Sequence, residues 1–275
     1  MNSDHAFLKP EDYLEPDCAV CGDPAVRMIP QKRIIEKMDE YMSRRDYAGA
    51  ERHLLYWLEE ALQNRDQRGE LMLRNELIGH YRKTAREDKA LENIDRALEL
   101  IKELGFEGTV SAGTTYTNSA TALNAFGKNE RSLQLFEKAA EIYGSSDMTD
   151  PSLEGGLYNN MALTCASLGL YERAYALFAK ASDVMKTVLY GEAEQAITCL
   201  NIAETKEKEL GMENAENEIY GLLDMAYELL DTPSLPRDGY YAFVCEKCAP
   251  SFSYYGYFAA AEELTKRAEE IYERA

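Results

Sequence analysis

The 275-residue chain carries 49 acidic and 30 basic side chains, a formal net charge of −19, and is 45% hydrophobic. Such a surface repels phosphate backbones and anionic lipid, so neither nucleic-acid nor membrane binding is expected, and a neutral or basic polypeptide is the easier partner. Leu, Ala, Glu and Tyr dominate while Val, Pro and Thr are sparse, which favours an all-helical protein with a sizeable core. The opening MNSDHAFLKPEDYLEP is acidic and lacks an apolar core, so it does not read as a signal or transit peptide. No run approaches the roughly 18 apolar residues of a membrane span. The expected compartment is the cytoplasm, with the six cysteines reduced.

Residues 1–30 differ in character from the rest of the chain. Pro10, Pro16, Pro24 and Pro30 interrupt any helical period, and the segment reads as an irregular arm carrying Cys18 and Cys21. From Gln31 onward the chain reads as paired amphipathic helices. The first hairpin spans about Arg33–Asn64 with a turn at Asp46-Tyr47. The second spans Glu70–Leu104, with Gly105 as a stop signal, and the third Ser111–Tyr143 with a turn at Gly127. The fourth, YNNMALTCASLGLYERAYALFAKA (158–181), is the clearest. The fifth begins near Glu192 and turns at Gly211. A proline-bearing linker, 231–239, precedes a sixth that turns at Tyr255-Gly256 and contains Pro250, which predicts a kinked or shortened first helix.

Ala90, Ser132, Ala174 and Ala215 recur at intervals of 42, 42 and 41 residues. A fixed period of paired helices predicts a solenoid, since no hairpin buries its apolar face alone and each must stack on the next. Small residues in both helices, the Gly169-Leu170-Tyr171 turn, and Phe178 followed by Ala181 resemble the tetratricopeptide repeat. The period exceeds the usual 34 residues. With Asp-Pro-Ser-Leu (150–153) ahead of YNNMA (158–162), it is similar to the long repeats of kinesin light chain and of bacterial quorum-peptide receptors. The resemblance covers residues 31–275 and implies a right-handed α–α superhelix of about six hairpins.

Asn118, Asn160 and Asn201 occupy corresponding places in three first helices, with Asn75 a looser fourth. Asparagine is a mediocre helix former, so several in register ask for a reason. The resemblance implies a concave groove lined by first helices, in which such amides hydrogen-bond the backbone of an extended peptide. An amide suits that task because it offers donor and acceptor together. Asn159, Thr117, Thr121, Arg74 and Glu204 lie close enough to tune side-chain preference. The alternative is that these amides bond neighbouring helix carbonyls or water. The expected role is a protein- or peptide-binding scaffold; a peptide-sensing receptor is the second reading.

Two Cys-x-x-Cys pairs, Cys18/Cys21 and Cys245/Cys248, would complete a four-thiolate zinc site in principle. They lie 224 residues apart, and the stretch from Cys21 to the first helix reaches only about 30 Å. The other reading packs Cys245 and Cys248 as small hydrophobes. Cys165 and Cys199 fall on apolar helix faces. His5, His53 and His80 have no metal-type spacing, and no nucleophile elbow or phosphate-binding loop occurs, so catalysis is not expected. The last hairpin is rich in aromatics, and with no solvating helix after it the sequence predicts a homodimer contact through that end.

Overall fold

The computed structural model describes residues 27–146 and 149–274. The chain divides into two compact units, with the boundary between residues 149 and 150. In the first unit the described helices are α1 (Gln31–Ser43), α2 (Tyr47–Gln63), α3 (Gln67–Lys83), α4 (Glu87–Glu103), α5 (Val110–Ala125) and α6 (Asn129–Ser145). The second unit contains α7 (Pro151–Ser167), α8 (Tyr171–Met185), α9 (Glu192–Leu210), α10 (Met212–Leu230), α11 (Gly239–Tyr254) and α12 (Phe258–Tyr272). Each unit is thus three stacked helical hairpins, all-α among the described residues, and the turns and the 231–238 connection fall where the sequence places them. The expected arm, with Cys18 and Cys21, lies almost wholly outside the described residues.

The two helices of a hairpin bury differently. In α10 only Ala215, Ile219, Leu223, Ala226 and Leu230 are buried, a single stripe at helical spacing. In α4 the stripe is Ala90, Asn93, Ile94, Ala97, Leu100 and Ile101. From the second hairpin on, first helices are enclosed on more sides: α3 buries Gly69 to Leu73, Asn75 to Ile78, and His80 and Tyr81, whereas α1, the first helix of the first hairpin, buries only Ile34, Met38 and Met42. Each large aliphatic side chain so enclosed contributes about 2 kcal/mol. Glycine and alanine in α5 and α7 follow from the same geometry. A Cβ on Gly113 would meet the Tyr143 ring at 2.4 Å, and one on Gly155 would meet Met185 at 2.6 Å.

Hairpin turns share one hydrogen-bond pattern, in which the residue after the left-handed position donates five residues back: Asp46 to Tyr41, Arg86 to Tyr81, Lys128 to Leu123, Leu170 to Cys165 and Tyr257 to Phe252. The left-handed residue is glycine at 127, 169 and 256, where it costs nothing, but Arg45 and Ala85 in the first two hairpins. Gly211 also has positive φ and joins α9 directly to α10.

The last hairpin departs from expectation. α11 runs its full 16 residues through Pro250. The proline sits on the exposed side of the helix, where water can hydrate the carbonyl it deprives of a partner. Tyr241, Phe252 and Tyr255 are buried, and among the hairpin's large aromatics only Tyr254 and Phe258 are largely exposed. α12 turns Glu262, Thr265, Lys266, Glu269 and Glu270 outward. That charged face lies on the outer side of the hairpin, beside the exposed Tyr254 and Phe258.

Candidate functional site

Registering the first helices on their turns sorts the asparagines into two classes. Asn118 and Asn160 lie nine residues before Gly127 and Gly169. Asn201 lies ten before Gly211, but the α9–α10 turn is one residue shorter, and counted to the start of the second helix all three lie eleven residues before Asn129, Tyr171 and Met212. All three are half-buried. The side-chain amides of Asn118 and Asn160 make no hydrogen bond among the described residues, so both keep donor and acceptor available at the surface. In α3 this place belongs to the buried Glu76.

Asn75 and Asn159 lie ten residues before Ala85 and Gly169. One residue is a rotation of about 100° around a helix, and it turns both inward. Asn75 is 2% exposed and Asn159 7%. Asn75 Nδ2 donates to Thr115 Oγ1 at 3.0 Å and to the Leu71 carbonyl at 3.1 Å. Thr198 Oγ1 donates to Asn159 Oδ1 at 3.2 Å. Each unit therefore has an Asn–Thr tie between consecutive first helices, α3 to α5 and α7 to α9. Asn201 is drawn into the second, donating to Asn159 Oδ1 at 3.1 Å. Thr117 and Thr121 return their hydroxyls to carbonyls four residues back, Gly113 and Thr117. Arg74 bonds Asn93 and Glu70, and Glu204 is exposed.

Electrostatically the units are unlike. Residues 27–146 hold 20 acidic and 19 basic side chains; residues 150–275 hold 22 and 10. In the first unit the carboxylates face cations. Buried Glu70 meets Arg96 at 3.0 Å and Arg74 at 3.3 Å. Glu51 meets Arg86 at 2.5 Å, Lys89 at 2.8 Å and the Tyr81 hydroxyl at 3.1 Å. Burial alone would raise Glu51, but hydrogen bonds from Lys89, Arg86 and Tyr81 hold its carboxyl down at about 2.

In the second unit the recurring donor is tyrosine. Tyr254 and Tyr255 each donate to Glu207 at 2.8 Å, Tyr175 to Glu209 at 2.7 Å, Tyr257 to Asp224 at 2.9 Å and Tyr158 to Glu154 at 2.7 Å, while Tyr240 donates to Glu194. A phenol satisfies a carboxylate lone pair without cancelling its charge. Burial pushes Glu194 up to about 7, against the opposing field of Lys247.

The sequence did not single out this α9–α11 pairing. Its signal was a stripe on α11 at helical spacing, namely Tyr240, Phe243, Lys247, Pro250 and Tyr254. Lys247 occupies the place that Asn118 and Asn160 hold in their own helices.

The cysteine pairs do not assemble among the described residues. Cys245 and Cys248 are buried in the core of the last hairpins, with Cys199 in the same core. Burial raises the Cys245 and Cys248 thiols, which favours the neutral, packing form. No group of three or more His, Cys, Asp or Glu among the described residues can hold a metal ion. The described histidines are held in the fold: His53 Nε2 lies 3.1 Å from the Ile34 carbonyl, and His80 is buried beside Tyr81.

Two stacks of helical hairpins, small residues at the helix crossings and glycine turns define a helical-repeat protein. Residues 70–145 match the family model of the tetratricopeptide repeat. The chain is similar in fold to BtubC (BKLC) from P. vanneervenii, with a TM-score of 0.52 and 18% identity, over 83% of this chain and 90% of that one. It is also similar to a point variant of the kinesin light chain nearly identical TPR-like repeats of Podosopora anserina, with a TM-score of 0.50 and 15% identity, over 73% and 93%. No curated protein sequence matches the chain. The fold is that of a tetratricopeptide-repeat protein, as the residues around Gly169 imply. No described helix is long and apolar enough to cross a membrane.

Proposed function

We propose that the chain is a protein-binding scaffold in which the first helices of each unit, taken by itself, hold an extended segment of partner polypeptide. Asn118 in the first unit, and Asn160 and Asn201 in the second, hydrogen-bond the partner's backbone. The observation that carries this reading is the division among the asparagines. Those turned inward are consumed by the Asn–Thr ties, whereas Asn118 and Asn160 present amides with no partner in the fold. A helix interior does not favour asparagine, so retaining it where it stabilises nothing suits a binding role.

Each amide-to-backbone hydrogen bond is worth about 1 kcal/mol, so losing one weakens the segment held by its unit by roughly fivefold. The test is affinity capture from the native host with the wild type and with a triple variant, Asn118→Ala, Asn160→Ala and Asn201→Ala. Circular dichroism confirms that the variant is folded. Loss of the captured partners supports the reading, and capture of the same partners at the same yield sinks it.

A further inference from the structure

Within the second unit, the surface where α11 lies against α9 combines aromatic rings with carboxylates that form no ion pair, Lys247 reaching Glu194 only through its field. On α11 the Tyr240 and Phe243 rings stack with centroids 6.5 Å apart and planes at 28°. Pro250 and Tyr254 continue the same face, and Tyr254 is 68% exposed. On α9, Glu194 stands beside Tyr240, and Glu204 and Glu207 stand beside Tyr254 and Tyr255. Among the described residues no ion pair reaches Glu194, Glu204 or Glu207; Lys206, the α9 cation nearest Glu204 in sequence, is paired with Glu218 at 2.6 Å. Lys247 Nζ lies 5.9 Å from the Phe243 ring centroid, so this ring already takes an ammonium on its face.

We propose that this α9–α11 face receives a basic segment of the partner polypeptide, seating arginine or lysine side chains against the Phe243 and Tyr254 rings and the carboxylates of Glu194 and Glu204. The inference rests on the scaffold reading above and specifies the chemistry of the partner. Charge complementarity selects the occupant: the unit carries 22 acidic against 10 basic side chains, and the tyrosines that donate to Glu207 bring no positive charge to it. A cation brought to Glu194 compensates a carboxylate that burial now disfavours, and a guanidinium adds contact with the aromatic face. An anionic or apolar segment gains neither. Glu194 and Glu204 are ten residues apart on one helix, about 15 Å, so an extended segment meets both with basic residues about five positions apart.

The probe is an N-acetylated, C-amidated glycine–serine peptide with two arginines five residues apart, titrated calorimetrically into the full chain. Its twin carries citrulline in place of both arginines. The expected result is binding that is at least tenfold tighter for the arginine peptide and falls with added salt. Glu194→Gln, which keeps an acceptor for Tyr240, and the exposed Glu204→Gln are each expected to weaken binding several-fold, as is Phe243→Ala. Glu262→Gln and Glu269→Gln, on the outward face of α12, control for net charge and are expected to change nothing.

Equal binding of the two peptides overturns the proposal, as does absence of arginine-peptide binding at millimolar concentration. Equal loss in the α12 controls does the same. None of these outcomes touches the asparagine reading, which stands or falls on partner capture by the triple variant.

Discussion

Glu70 and Glu194 are both carboxylates on first helices, and the two units handle them in opposite ways. The first unit encloses Glu70 and brings Arg74 and Arg96 to it, making a charged staple between α3 and α4. The second encloses Glu194 and supplies a neutral phenol from Tyr240. Repeated along each unit, this choice leaves the first close to electroneutral and the second strongly negative. The first arrangement serves cohesion, because ion pairs formed within the stack have nothing left to offer a partner. The second keeps hydrogen bonds satisfied and the field intact, at the cost of self-repulsion within the unit. One fold thus carries a self-compensated half and a half whose charge remains available.

The largest expected effect that sharpens this contrast is Glu70→Ala, which removes the carboxylate joining α3 to α4, leaves Arg96 with Glu103 and Arg74 with Asn93, and should destabilise the first unit by about 2 kcal/mol. Tyr240→Phe, its counterpart in the second unit, removes one hydrogen bond and should cost about 1 kcal/mol. Hydrogen exchange of the α3–α4 and α9–α11 amides reads the two separately, and similar losses in both would erase the distinction. Thr198→Val, which removes one of the two α9 donors to buried Asn159 and leaves Asn201, should cost about 1 kcal/mol by the same measurement.

Acidity should move the units in opposite directions. Burial lowers the pKa of His53 and of His80, so the unfolded chain binds their protons more readily and the first unit loses stability as pH falls below about 6.5. Glu51, held at about 2, withdraws further support below about pH 4.5. Glu194, raised to about 7, binds its proton more readily when folded, so the second unit gains stability as pH falls from about 7 toward 4.5. The groups facing Glu194 from α11 are Tyr240, Lys247 and Cys248. Exchange protection at pH 5.5 and 7.5, corrected for intrinsic rates, should rise on acidification near α9 and α11 and fall near α2 and α3. Parallel changes in both would show that Glu194 is not set apart.

The smallest effect concerns the turns. Ala85→Gly relieves a left-handed alanine at φ 54° and should stabilise the first unit by roughly 1 kcal/mol, whereas Gly169→Ala should cost the second a similar amount. Melting temperatures shifting in opposite directions would bear this out.

Most of the fold was legible because the repeat writes itself into small residues and glycine turns at a near-constant interval. Asn75 was placed on the groove by the 43-residue spacing to Asn118, yet it is one residue out of register. Ala85 stands where later hairpins have glycine, so the turn that would have fixed the register carried no local signal. Pro250 was weighed by its effect on a helix interior, and exposure of that side of α11 decided otherwise. The Tyr–carboxylate pairs escaped notice for another reason. Apart from Tyr158–Glu154 they join residues 26 to 48 positions apart, and only the stacking of successive helices brings Tyr240 to Glu194 or Tyr255 to Glu207.

The central claim is that partners are read by the half-buried amides of the first helices that have no partner in the fold, rather than by the inward ones. Its most direct test compares, by quantitative mass spectrometry, the proteins captured by Asn160→Ala with those captured by Thr198→Val. The former removes a half-buried amide that has no partner in the fold and leaves the fold's side-chain hydrogen bonds intact; the latter cuts an Asn–Thr tie and spares that amide. Depletion of partners in Asn160→Ala, with the second unit's exchange protection unchanged, is the predicted result. Full capture by Asn160→Ala together with loss of partners in Thr198→Val would contradict it.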